Sequence, residues 1–196
     1  MWKEEIIELV KEFNHPAWGY SHFNRIYELC LELATLDKKD VDKDSLFAAS
    51  YLHDIGAFMP YKQEGRDHID VAIEKCEEIL SSMKFPTEKI PIVKDIIKSH
   101  MFYVKPSNKI ESIILHDADT LDFMGVIGIT RLLSIVGKDD WTPDLNSAIK
   151  IIERFSDELP QYLNTQAAKA IGKKRKEEME SFLKNLKKET SDFKNL

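Results

Sequence analysis

Leu46-Phe47-Ala48-Ala49-Ser50-Tyr51-Leu52-His53-Asp54-Ile55-Gly56 is the stretch that decides how the chain folds. Apolar residues occupy most positions up to Leu52, so the segment reads as a helix buried on nearly all sides. A His-Asp pair finishing such a helix needs a partner, because an unpaired buried carboxylate costs several kcal/mol. A bound cation meets that need. The position suits one: a helix C-terminus carries partial negative charge and unpaired carbonyls, and Gly56 is the residue type that stops a helix there.

Outward from this segment the helical pattern continues in both directions. An acidic, Lys-rich linker from Asp37 to Asp44 precedes it, with Asp42 or Asp44 as its N-cap. Before the linker, Ile26, Leu29, Cys30, Leu33 and Leu36 form the stripe of a long helix. His22 lies four residues before Ile26 and Arg25 four before Leu29, so both face inward. After Gly56, residues 57–66 read as a loop placed to act as a lid or substrate contact. Asp67-His68-Ile69-Asp70 then opens a helix with His68 in its first turn. Past Phe85-Pro86-Thr87 a further helix runs to about Met101, with His100 continuing its inward face. The helix from Ile110 leads into His116-Asp117-Ala118-Asp119-Thr120-Leu121-Asp122, a dense set of ligand-type side chains in apolar surroundings.

The remaining segments are amphipathic. A short helix covers about residues 2–13, and Gly125 and Gly128 permit close packing ahead of Ile129 to Val136. Thr142-Pro143-Asp144 reads as a helix start, with Thr142 as cap and proline at the first helical position. A last helix begins at Thr165. The connector His15-Pro16-Ala17-Trp18-Gly19-Tyr20 either packs on the first helix, the favoured reading, or lines a pocket. No segment alternates as a strand does. The fold expected is therefore all-α, an irregular bundle of eight to ten helices. It forms one domain over 1–196, with a core at about 18–135 and C-terminal helices at about 142–190 packed on it.

Composition narrows the function classes. Charged residues at 32% and hydrophobic residues at 43% are ordinary for a soluble protein. No run approaches the roughly 20 apolar residues of a membrane span, and two cysteines on apolar helix faces, Cys30 and Cys76, suit a reducing compartment. A cytoplasmic protein is expected. From residue 166 onward nine Lys/Arg face five Asp/Glu, against a net −6 overall. That basic helix has an apolar stripe, which marks a solvated face and argues against nucleic acid. The amphipathic terminal helices leave a homo-oligomer open.

Each histidine alone is more simply a satisfied core or surface residue. His22, His53, His100 and the 117–122 segment together all lie at the ends of apolar helices and on inward faces. His22, then Leu-His-Asp-Ile-Gly at 52–56, then Asp-Ala-Asp-Thr-Leu-Asp at 117–122, resemble the ordered pattern of the HD-domain metal-dependent phosphohydrolase superfamily. The similarity extends to His68, His100, the 117–131 stretch and the last helix with Thr165, Arg175, Met179 and Phe182-Leu183. It implies that His22, His53, Asp54 and Asp119 ligate a divalent metal ion. Periodicity alone does not separate Asp119 from Asp117. A mixed imidazole and carboxylate set accepts Mn, Fe, Co, Ni, Zn or Mg.

The resemblance also implies the chemistry, water activated by the metal and attacking the phosphorus of a small phosphate ester or nucleotide. His68 and His100 would protonate the leaving oxygen, contact the phosphate, or bind a second metal ion. Arg25 and Arg131 either clamp phosphate or, as favoured here, hold Asp54 or Asp122 in place. Many nucleotide-hydrolysing relatives carry a basic residue after the metal-binding aspartate; here it is Thr120, which argues against a nucleoside triphosphate. His116 has no role in the pattern. The competing readings are a non-catalytic metal- and nucleotide-binding module, an iron-dependent oxygenase or lyase of the same fold, and a helical scaffold without metal.

Overall fold

Asp42 sets where the central helix starts. Its carboxylate accepts the backbone N–H of Asp44 at 3.1 Å and of Ser45 at 3.3 Å, and the Ser45 hydroxyl at 2.9 Å. In the computed structural model, which describes residues 1–196, the helix it caps is α3, Lys43–Leu52. Every residue of α3 from Ser45 to Leu52 is buried, as the unbroken apolar pattern requires. The helix stops earlier than the glycine signal implies. His53 closes it, and Ile55–Ala57 form a single 3-10 turn. Gly56 has a different job there. A Cβ at this position would collide with the carbonyl of His68, so glycine lets the chain after the His-Asp pair pass directly against the start of the next long helix.

Eight further helices surround α3: α1 (Trp2–Lys11), α2 (Tyr20–Leu36), α4 (His68–Ser82), α5 (Ile90–Lys98), α6 (Ile110–Asp122), α7 (Gly125–Ser134), α8 (Leu145–Glu158) and α9 (Gln166–Glu189). No strand is present. α2 lies along α6 and α3, α3 also packs on α5, and α5 on α4. α7, α8 and α9 pack on one another and close the structure beside α6. Forty-three buried apolar residues, from Ile6 to Leu183, form one continuous cluster. Within it the ends of α2, α3, α4, α5 and α6 converge, and this is where the buried histidines and aspartates lie.

Three local expectations change. α5 ends at Lys98, so His100 stands two residues beyond the helix, on a turn whose N–H reaches back to Ile97 O. Thr142 is no cap. It is fully buried and donates its hydroxyl to Ile135 O at 3.1 Å, while Asp144 caps α8 through Ser147 N at 2.7 Å. The helical pattern of 110–115 runs unbroken through the acidic segment to Asp122, so its carboxylates are sorted by helix face.

Asp42 yields the first prediction. Burial alone would raise its pKa. The Lys89 ammonium at 2.9 Å and the hydroxyl and N–H of Ser45 outweigh that and hold it below the usual carboxylate value. A group depressed in the folded state contributes stability that is present above its unfolded pKa and lost as pH falls through the folded one. Asp42→Ala is expected to lower unfolding free energy by about 1–2 kcal/mol at pH 7. The difference from wild type should shrink when urea denaturation is repeated below pH 3.8, the ordinary Asp value.

Candidate metal centre

α2 contributes His22 from its first turn, α3 delivers His53 and Asp54 at its end, and α6 presents Asp119 and Asp122. His22, His53 and Asp119 offer ligand atoms that all lie within 4.8 Å of one another, as do His53, Asp54 and His100. The two groups share His53. His22 Nε2 stands 3.5 Å from Asp119 Oδ1 and 3.8 Å from Asp54 Oδ2, and His53 Nε2 is 3.4 Å from Asp54 Oδ2. His68 joins at the margin, its Nε2 3.5 Å from Asp54 Oδ1.

The imidazole tautomers are fixed by groups that can only accept. His22 Nδ1 donates to Asp122 Oδ2 at 2.8 Å, His53 Nδ1 to Ser50 O at 2.9 Å, and His100 Nδ1 to Ile97 O at 2.8 Å. With each Nδ1 so engaged, the Nε2 atoms of all three rings turn toward the same small space. His22 Nε2 and His53 Nε2 meet at 3.2 Å, a contact that two lone pairs cannot hold without a proton or a cation between them. His100 Nε2 is buried, 3.3 Å from Asp54 Oδ1, and has no hydrogen-bond partner. Three converging imidazole Nε2 atoms, one of them without a hydrogen-bond partner, beside two carboxylates fit a divalent cation on the chemistry of the donors.

The carboxylates favour positive charge at this point, whether a cation or a proton on His53. Burial and Arg131 push His22 down to about 4 against the pull of Asp122. At His53 the effect of burial is outweighed by Asp54 and Asp119, and the ring rises to about 8. Burial of Asp54 is likewise outweighed, chiefly by the charge of His53, and its carboxyl stays well below the usual range.

Asp122 anchors this arrangement. It accepts from Arg25 Nε and Nη2, both at 2.9 Å, and from Arg131 Nη1 at 2.7 Å, besides His22. Arg131 also donates Nε–H to Ala17 O at 2.7 Å, which ties the connector before α2 to α7. Both arginines thus serve Asp122 and neither contacts Asp54. Asp119 and Asp122, three residues apart, share a face of α6. Asp117 points elsewhere: it accepts the N–H of Asn164 and of Thr165 at 2.8 and 2.7 Å, fastening the start of α9, and His116 sits with it. Thr120 is buried and bonded to His116 O. The second His-Asp dipeptide of the chain is a structural clamp outside the centre.

A family model, that of the HD domain, matches residues 19–124, more than half of the chain and every residue of the centre. The chain belongs to the HD domain family. A search of curated proteins finds no match. Solved structures share the HD fold over nearly the whole length. Bacillus subtilis YpgQ in complex with ADP is 21% identical, with a TM-score of 0.70, covering 95% of this chain and 97% of that one. A protein from Lactobacillus plantarum is 21% identical at a TM-score of 0.71, covering 97% of both. One from Listeria innocua is 26% identical at 0.65, covering 97% of this chain and 98% of its own.

Some of the HD site escaped the sequence. Asp54 and His68 line a cleft of about 840 Å³ together with Trp18, Phe123 and Trp141. Trp18 therefore faces the pocket instead of only packing on α1, and His15 stacks on it at 4.7 Å. Trp141 carried no signal, since nothing in its neighbours ties residue 141 to the end of α3. The loop 57–66 does border the cleft, through Lys62 and Arg66.

Proposed function

We propose that the protein is a metal-dependent phosphohydrolase in which all 196 residues act as one domain. The converging Nε2 atoms of His22, His53 and His100 beside Asp54 and Asp119 carry this reading. His22, His53, Asp54 and Asp119 would hold the ion. When bound, the divalent cation acidifies water and polarises a phosphoryl oxygen, lowering the barrier by several kcal/mol.

The chain's own groups do the rest. Ser50 O, Ile97 O and Asp122 lock the three ring orientations, so no reorganisation is needed when substrate arrives. His68 is the one imidazole of the group with appreciable solvent exposure, 29% of its side chain, and it lines the cleft. Its Nε2 gives a proton to the leaving oxygen as the oxygen of water bonds to phosphorus and the ester P–O bond breaks. Water's own proton passes to solvent through the open cleft. His100 is wholly buried, which favours it as a ligand over an acid; with His53 and Asp54 it forms the second donor group and supports a second ion. The substrate is a small phosphate ester or a nucleotide, and the YpgQ complex with ADP, on the same fold, makes nucleotides the first class to test.

Elemental analysis of protein purified without added metal, followed by phosphate release from a panel of nucleotides and aryl phosphates, tests the reading. One or two equivalents of a transition metal and chelator-sensitive turnover are expected. Restoring Mn or Ni at a hundred times its Kd should stabilise the folded protein by about 2.7 kcal/mol in a melting experiment. Metal-dependent melting without any turnover would instead show a binding module, and no response to metal would show a scaffold.

A further inference from the structure

The cleft above Asp54 has a second chemistry at its other end. Trp141 is 37% exposed at its rim, although a ring of that size gains most when covered. It meets Trp18 nearly edge-on, with centroids at 6.1 Å and planes at 67°, and Phe123 at 6.1 Å and 86°. The three rings make a corner in which Trp141 is the exposed member, since Phe123 is buried and His15 stacks on Trp18 at 4.7 Å. This corner is held firmly. Gly137, in the left-handed region at φ 71°, bonds its N–H to Thr142 O at 2.8 Å, and Asp139 Oδ1 accepts the Trp141 N–H at 2.8 Å. Behind it, Arg131 packs 4.3 Å from the Phe123 ring centre and 5.9 Å from that of Trp18, while binding Asp122.

We infer that the exposed ring of Trp141, walled by Trp18, forms the subsite for a planar aromatic group on the substrate, which makes the substrate an aromatic phosphate ester of the nucleotide kind. The inference rests on the phosphohydrolase reading for the position of the phosphorus. Charge sets the orientation. Asp139 and Asp140 outnumber Lys138 at the tryptophan end and repel an anion, while at the other end Lys62 and Arg66 match Asp54 and Asp67, and a cation held there would make that end positive. The ring lies against Trp141 and the phosphate points to Asp54 and His68. A cleft of about 840 Å³ is within the usual range for small-molecule sites, about 300–1,000 Å³.

AMP and ribose 5-phosphate differ only by the base, so their ratio of kcat/KM isolates the subsite. Trp141→Ala should lower that ratio about 10- to 100-fold, mainly through KM, and Trp141→Phe should keep most of it. An unchanged ratio would overturn the inference. If neither compound is hydrolysed, the wider substrate panel decides the phosphohydrolase reading separately, and nucleosides without phosphate still decide the subsite. Tryptophan fluorescence of the wild type should be quenched by at least one of adenosine, guanosine, cytidine and uridine, and that response should vanish in Trp141→Ala. No quenching by any of the four overturns the subsite.

Discussion

Asp54→Ala is expected to lower kcat for phosphate-ester hydrolysis by at least about a thousandfold, because a metal ion supplies several kcal/mol and each 1.36 kcal/mol is a factor of ten. Asp54 bridges the members of the centre: Oδ2 is 3.4 Å from His53 Nε2 and 3.8 Å from His22 Nε2, and Oδ1 is 3.3 Å from His100 Nε2. Its loss removes a negative ligand and leaves a cluster of imidazoles that repel one another once protonated. Metal content measured after dialysis should therefore fall with the activity. Helicity by circular dichroism should stay near wild type, since Asp54 caps no helix by its side chain. Turnover at the wild-type rate in this variant would show that hydrolysis, if present, happens elsewhere.

The helices of this protein were legible because burial imposes a period that the sequence must write down. The unbroken apolar run of α3, the stripe of α2 and the caps Asp42, Asp67 and Thr165 all left their marks in order. Which residues come together was legible in part. His22 and His53 stand on inward faces that meet, whereas Asp119 was separated from Asp117 only by the resemblance to the HD pattern. What stayed hidden depends on directions that neighbours in sequence do not encode. Asp117 and Asp119 are two residues apart and thus nearly opposite on α6, and only the position of α9 shows that Asp117 is taken by Asn164 and Thr165. The acceptors that lock His53 and His100 are backbone carbonyls, which any residue supplies. Thr142 looked like a cap because threonine before proline favours one. Its hydroxyl goes to Ile135 O instead, and Asp144 caps α8.

Asp122→Ala is expected to do the most damage to stability, about 3–5 kcal/mol, although Asp122 contacts neither Asp54 nor the cleft. Burial alone would raise its carboxyl. His22, Arg131 and Arg25 outweigh that and drive its pKa far below the ordinary carboxylate value. Removing it strands Arg131, which is 2% exposed and keeps only Ala17 O. Replacing a buried pair by apolar groups is tolerable; deleting one member is costly because the other charge stays desolvated. Asp122→Asn separates the two roles of this residue. The amide oxygen still accepts from an arginine, so much of the stability should return in urea denaturation. The charge beside His22 Nδ1 does not return, and a ring no longer held by a carboxylate binds metal about 10- to 100-fold more weakly. A metal titration of Asp122→Asn that matched wild type would mean that Arg25, Arg131 and Asp122 serve the packing of α2 on α6 alone.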